Sequence, residues 1–189
     1  MKISKAYQKH VFCLEGDWED DLKKKSSVNA SLVFMEQNCG IKYIHKHCGT
    51  RDGLEYYLKK YKQKKYKDYS ICYFAYHGQP GMIDVGKDMV TLDELAIMLG
   101  DSCKDKIIHF GSCLTLSIDT RLIKKFLEQT QALCVCGFKT EVDFLSSSVF
   151  DMMLIEMFQN YKDVSCVERD MRAQHPIMIQ ELDFKIVYL

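Results

Sequence analysis

Hydrophobic and polar positions along the chain alternate between two rhythms. Short unbroken apolar runs, rich in β-branched and aromatic residues, occur at residues 11–14 (VFCL), 69–78 (YSICYFAYHG), 106–113 (KIIHFGSC) and 132–138. Runs of that length and composition predict strands buried on both faces. Residues 42–47 alternate Tyr43, His45 and His47 against Ile44, and residues 182–188 alternate as well; the first predicts a strand and the second an edge strand. Between these runs the spacing changes to three and four. Ser26 and Ser27 open a helical pattern with Leu32, Phe34 and Met35 inward and Gly40 as its stop. Residues 51–66 place Leu54, Tyr57, Leu58 and Tyr61 on one face, with lysines on the other.

Thr91-Leu-Asp-Glu94 has the form of a capping box, opening a helix that buries Leu92, Leu95, Ala96 and Leu99. Residues 119–129 predict a helix with Leu122, Ile123, Phe126 and Leu127 inward. Residues 145–161 form the most apolar helix, and a shorter one runs to Gln174, ending near Pro176. Between Gln79 and Val90, MIDV and KDMV flank Gly86 as a small hairpin. The alternation of strands and helices predicts an α/β protein with three layers, α-β-α, around a mostly parallel six-stranded sheet. With two prolines and no Ser/Gly tract in 189 residues, one domain spanning 1–189 is expected.

Charge changes the picture only by exclusion. Twenty-six basic and 26 acidic side chains balance, so no whole-molecule field favours nucleic acid or an anionic membrane. The basic run at residues 59–67, KKYKQKKYK, reads as the wet face of an amphipathic helix. No apolar stretch reaches the ~20 residues of a membrane span. Nine cysteines without paired spacing, after an amino terminus that reads as no leader, predict reduced thiols in a cytoplasmic protein. His45, His47 and Cys48 could begin a zinc site, but no second cluster completes one, and no nucleotide-binding loop occurs. Neither a metal nor a cofactor is expected.

Candidate chemistry gathers at two strand ends. His77 is followed by Gly78, and Cys113 is preceded by Gly111 and Ser112. Parallel neighbours would deliver both side chains to one carboxyl-end edge, where open α/β sheets bind ligands. There an imidazole can activate a thiol as nucleophile. Taken singly, Cys113 could equally be a small core residue and His77 a core histidine bonded to backbone.

A hydrophobic strand ending in His77-Gly78, followed by one ending in Ser112-Cys113, resembles the caspase-type cysteine peptidases of clan CD, the group of caspases, metacaspases, legumain, separase, gingipains and CHAT peptidases. The resemblance implies a Cys113–His77 dyad and an oxyanion hole from the N–H groups of Gly78 and Cys113. It implies a first substrate pocket lined by Glu15 and Asp17, by Gly111 and Ser112, and by Glu141 and Asp143. Carboxylates there would select Arg or Lys, with Asp143 as the preferred anchor ahead of Asp17. A protein substrate is implied, together with an activating partner protein or self-association, by analogy with small bacterial caspase-like proteins of defence and cell-death systems. Two other readings stay open: a non-catalytic caspase-like module that binds a protein partner, and an unrelated α/β protein in which both motifs are coincidental.

Overall fold

A computed structural model describes residues 8–189; the stretch MKISKAY, which carries most of the leader reading, lies outside the described residues. The main sheet has six strands: β1 (Val11–Glu15), β2 (Tyr43–His47), β3 (Ile71–Ala75), β7 (Ile107–Phe110), β8 (Cys134–Phe138) and β9 (Phe184–Val187). Their order is β2-β1-β3-β7-β8-β9. The first five are parallel and β9 closes one edge antiparallel to β8. Three short strands, β4 (His77–Gln79), β5 (Met82–Val85) and β6 (Asp88–Thr91), form a separate antiparallel sheet.

Period-two side-chain placement splits the core in two. Phe12, Leu14, Cys72, Phe74, Ile108 and Phe110 face one side, and α2 (Arg51–Tyr61), α3 (Leu92–Leu99) and α4 (Thr120–Thr130) cover them. Val11, Cys13, Ile71, Tyr73, Ile107 and Cys136 face the other. They pack beneath α1 (Asn29–Cys39), α5 (Phe144–Phe158), α6 (Val164–Gln174) and α7 (Pro176–Glu181). The result is the expected three-layer α-β-α architecture. Among the described residues no helix is long and apolar enough to cross a membrane.

Local chemistry fixes the ends of several elements. Thr91 and Glu94 make both halves of the capping box of α3. Gly40, with φ 66°, ends α1 in the left-handed conformation that a residue lacking Cβ adopts without strain. The expected hairpin forms with Met82 opposite Thr91 and Val85 opposite Asp88, and β4 adds a third strand to it.

Other expectations need correcting. The helix predicted over 51–66 stops at Tyr61, because the Tyr61 hydroxyl donates to the Tyr69 carbonyl (2.7 Å) and ties the returning chain down; a 3-10 turn, Lys64–Tyr66, follows. Phe34 and Leu122 are not inward: they are 55% and 52% exposed. On α1 the buried residues are Leu32 and Met35, and on α4 they are Ile123, Phe126, Leu127 and Thr130, so both side chains fall off the packed stripe. The helix expected to run to Gln174 does end there, as α6, and what was not expected is that Pro176 then starts α7, its fixed φ suiting a first helical position. Finally, the two key runs break early. β3 stops at Ala75 and His77 opens β4, while β7 stops at Phe110 and leaves Cys113 in a loop.

Candidate active site

β3 and β7 are hydrogen-bonded parallel neighbours in a register that pairs Ile71 with Ile107 and Phe74 with Phe110. They therefore end level, and the segments that leave them start from the same sheet edge. From β3, Tyr76 turns the chain into β4, which exposes His77. From β7, Gly111 and Ser112 lead to Cys113, and Leu114 then takes φ 60°, a left-handed conformation uncommon for a residue with a branched side chain. This sharp turn is held by the Leu114 N–H, which donates to the Thr140 carbonyl at 3.2 Å.

His77 and Cys113 line one cleft of about 190 Å³, with Trp18, Gly111, Phe144 and Ser147 among its walls. His77 Nε2 lies 2.9 Å from the Trp18 carbonyl oxygen. A carbonyl only accepts, so Nε2 carries the hydrogen and Nδ1 is left with the lone pair a general base needs. The Trp18 ring meets His77 edge-on at 5.3 Å and Phe144 edge-on at 5.3 Å, which walls the cleft with aromatic surface. The Cys113 sulfur accepts from the Val142 N–H at 3.3 Å, and no hydrogen bond joins it to His77.

Trp18 is itself held by a buried carboxylate. Glu15 accepts from Trp18 Nε1 (2.6 Å), Ser27 Oγ (2.6 Å), the Val28 N–H (2.7 Å) and His45 Nε2 (2.6 Å). Burial alone would raise its pKa; the bonds from His45, Ser27, Trp18 and Val28 outweigh burial and hold it below the usual carboxylate range. Glu15 thus positions the carbonyl that orients His77.

The two sheets meet at Gly78. A Cβ there would stand 2.4 Å from Thr115 Oγ1 and 2.6 Å from the Cys113 carbonyl oxygen, so only glycine lets β4 approach this loop. Ser112 and Thr115 hydroxyls lie 2.7 Å apart, and Thr115 Oγ1 donates to the Met82 carbonyl at 3.1 Å. These bonds stitch the cysteine loop to the small sheet. The N–H of Cys113 makes no bond to another backbone group among the described residues.

Other residues expected at the site are placed apart from this cleft. Glu15 is enclosed by its four donors. Asp17 bonds His47 Nε2 (2.9 Å) and lines a neighbouring, larger cavity of about 600 Å³, shared with His77, Trp18 and Asp84. Ser112 is buried behind Cys113. Glu141 is exposed. Asp143 is the N-cap of α5, accepting from the Ser146 N–H at 2.9 Å. Bonds from Ser146, its side chain first and then its N–H, hold the Asp143 carboxyl below the ordinary range. His45 and His47 bond Glu15 and Asp17 through Nε2. Among the described residues no group of three or more His, Cys, Asp or Glu is arranged to hold a metal. Trp18 and Val142 are the contributors that the motifs did not reveal. Val142 acts through its backbone N–H and Trp18 through its carbonyl and its ring, and Trp18, the chain's one tryptophan in an acidic loop, was a visible signal.

Fold and cleft together define a three-layer α-β-α protein with a cysteine and a histidine meeting at the carboxyl edge of its sheet. Over residues 8–188 the chain matches the model of a family of unknown function, DUF6642, and it belongs to that family. No curated protein matches the sequence.

Proposed function

We propose that the chain is a cysteine endopeptidase acting through Cys113 and His77 and cleaving protein substrates after Arg or Lys. The observation that carries this reading is the meeting of both side chains in one cleft, with His77 Nε2 held by a backbone carbonyl and Nδ1 left to accept a proton. His77 Nδ1 takes the thiol proton, and Sγ attacks the scissile carbonyl carbon. The oxyanion is met by the N–H groups of Cys113 and Gly78. Collapse expels the amine with the proton from His77 and leaves a thioester on Cys113. Water, deprotonated by the same imidazole, then releases the acid and restores the thiol.

Fluorogenic peptides ending in Arg, Lys or Asp, offered to wild type and Cys113→Ala, test this. Turnover after Arg or Lys that vanishes in the mutant supports the reading; turnover unaffected by the mutation sinks it. One observation favours a second reading, a non-catalytic module that binds a protein partner. The Cys113 sulfur bonds the Val142 backbone, as an inert thiol would. Iodoacetamide at neutral pH separates the two: an activated Cys113 alkylates ahead of the half-exposed Cys39 and Cys166.

A further inference from the structure

One edge of the main sheet carries a surface that the cleft does not use. β2 stands first in the strand order and pairs with β1, in a register that sets Val11 opposite Tyr43 and Glu15 opposite His47. At its two ends the Lys42 carbonyl accepts from the Val11 N–H (3.0 Å) and the Cys48 N–H donates to the Glu15 carbonyl (2.6 Å). Backbone groups along a strand alternate in direction, so the even-numbered residues of β2 bond to β1. The N–H and C=O groups of Tyr43, His45 and His47 therefore point away from the sheet, and among the described residues no other backbone group meets them. Such a row is a template for a further extended backbone.

Beside this edge lies a groove of about 430 Å³, bordered by β2, α2 and the 3-10 turn. Ile44, Tyr56, Tyr57 and Tyr66 give it apolar walls, and Lys46, Lys60 and Lys65 line it as well. Lys60 Nζ stands 5.2 Å from the Tyr56 ring centroid and Lys65 Nζ 5.0 Å from that of Tyr66, so both charges lie over the aromatic wall. The basic run at 59–67, expected to form one helix face, instead crosses the end of α2 and the 3-10 turn. That bend brings Lys60 and Lys65 to the same groove as Lys46. All six lysines of the run are exposed. Among the described residues none of them, nor Lys46, is in an ion pair, while Arg51 on the same helix takes both Glu55 and Glu94.

We infer that this edge docks an extended acidic segment of a partner protein, which adds to β2 as a further strand. Ile44 packs on the core beneath α2, so Ile44 and Lys46 share the face of β2 turned toward that helix. Alternate side chains of an added strand fall on the same face, toward the groove, where carboxylates meet the three lysines. A second copy of this chain is disfavoured, because two such edges joined about a two-fold axis would set lysines against lysines. A nucleic acid would engage the lysines and tyrosines but leave the backbone row unpaired. The groove shares no lining residue with the Cys113 cleft and needs no peptidase activity.

The test titrates the full chain into a fluorescein-labelled peptide of roughly ten residues alternating Glu and Val, a typical strand's worth and more, and follows anisotropy at low salt. Saturable binding is expected. Methylating every second backbone nitrogen of the peptide keeps its charge but removes its edge donors, and should weaken binding about ten-fold or more. Reversing the groove charge in the triple variant Lys46→Glu, Lys60→Glu, Lys65→Glu should weaken it by a similar factor. The matched variant Lys104→Glu, Lys124→Glu, Lys162→Glu has the same net charge, alters exposed lysines elsewhere, and should bind as wild type does. Absence of saturable binding overturns the proposal, as does equal loss in both triple variants. Undiminished binding of the methylated peptide would reduce the surface to charge alone and overturn it too. Oligothymidylate of equal charge that binds as tightly as the peptide would assign the surface to nucleic acid. Peptide affinity that falls as the chain self-associates would give the edge to a second copy. Either result rejects the acidic partner segment.

Discussion

The Glu15 carboxylate gives the sharpest test of how the site is held. Its two oxygens accept four hydrogen bonds of 2.6–2.7 Å, from two side-chain nitrogens, a hydroxyl and a backbone N–H. Glu15→Gln keeps the volume but halves the oxygens. The Ser27 hydroxyl can rotate and His45 can change tautomer to accept from the new amide, so all four groups keep partners while the bonds lose their ionic character. Bonds to a charged group contribute roughly 1 kcal/mol more than neutral ones, and the four are not additive, so a loss of about 2 kcal/mol is expected. Glu15→Ala leaves the buried Val28 N–H and the Trp18 indole without their acceptor and should cost about 4 kcal/mol. Urea unfolding of the three proteins at pH 7 measures both. The folded-state pKa of Glu15 is lowered, so the stabilisation is present above its unfolded value, near 4.5, and is lost as pH falls through the lower folded value. The gap between wild type and Glu15→Gln should therefore close on acidification. A gap under about 0.5 kcal/mol at pH 7, or one that widens toward acid, would refute the reasoning.

Gly78→Ala forces a methyl to within 2.4 Å of Thr115 Oγ1 and 2.6 Å of a backbone oxygen. Overpacking against a backbone atom should cost about 2–3 kcal/mol in urea unfolding, and displacement of the loop should change the rate of Cys113 alkylation. Thr91→Ala removes the N-cap of α3 and should cost about 1 kcal/mol of thermal stability. Glu94, held near a pKa of about 2 chiefly by its bonds with Thr91, backbone first, should in that variant titrate closer to an ordinary carboxylate when followed by NMR. Leu122→Lys, on the exposed side of α4, should leave the urea midpoint unchanged to within about 0.5 kcal/mol.

The sheet was legible because its inner strands are buried on both faces, so that VFCL and ICYFA are unbroken apolar runs and IIHF is interrupted only by His109. Helix existence was legible from apolar positions spaced by three and four, but face assignment failed at Phe34 and Leu122. An apolar side chain next to a buried stripe looks, in sequence, like part of it. His77 and Cys113 were visible as reactive types at strand ends. The breaks at Tyr76 and Phe110 were not, since both continue the apolar run and differ only in backbone direction. The Trp18 carbonyl that orients His77 could not be read at all, because every residue has a carbonyl. Asp143 was readable but differently: an aspartate directly before a helical run is an N-cap signal. Glu15 misled for a physical reason. A charged residue at the end of a strand, before a glycine, ordinarily meets water, and here four donors from three segments converge to replace it.

That the cysteine and the histidine arrive from different sheets has a genetic consequence. Their separation is set by how closely two backbones meet, and those meetings are made at glycines. Gly78 lies against the cysteine loop, and Gly86 lies where a Cβ would fall 2.1 Å from the Gly49 carbonyl oxygen. A saturation screen for loss of function should accordingly return these two glycines with few tolerated alleles beside Cys113 and His77. Glu141 and Leu145, exposed and outside the cleft lining, should accept most replacements. Heritable variation within the family would then collect in exposed side chains, while the seams that bring Cys113 and His77 to one cleft stay closed to it.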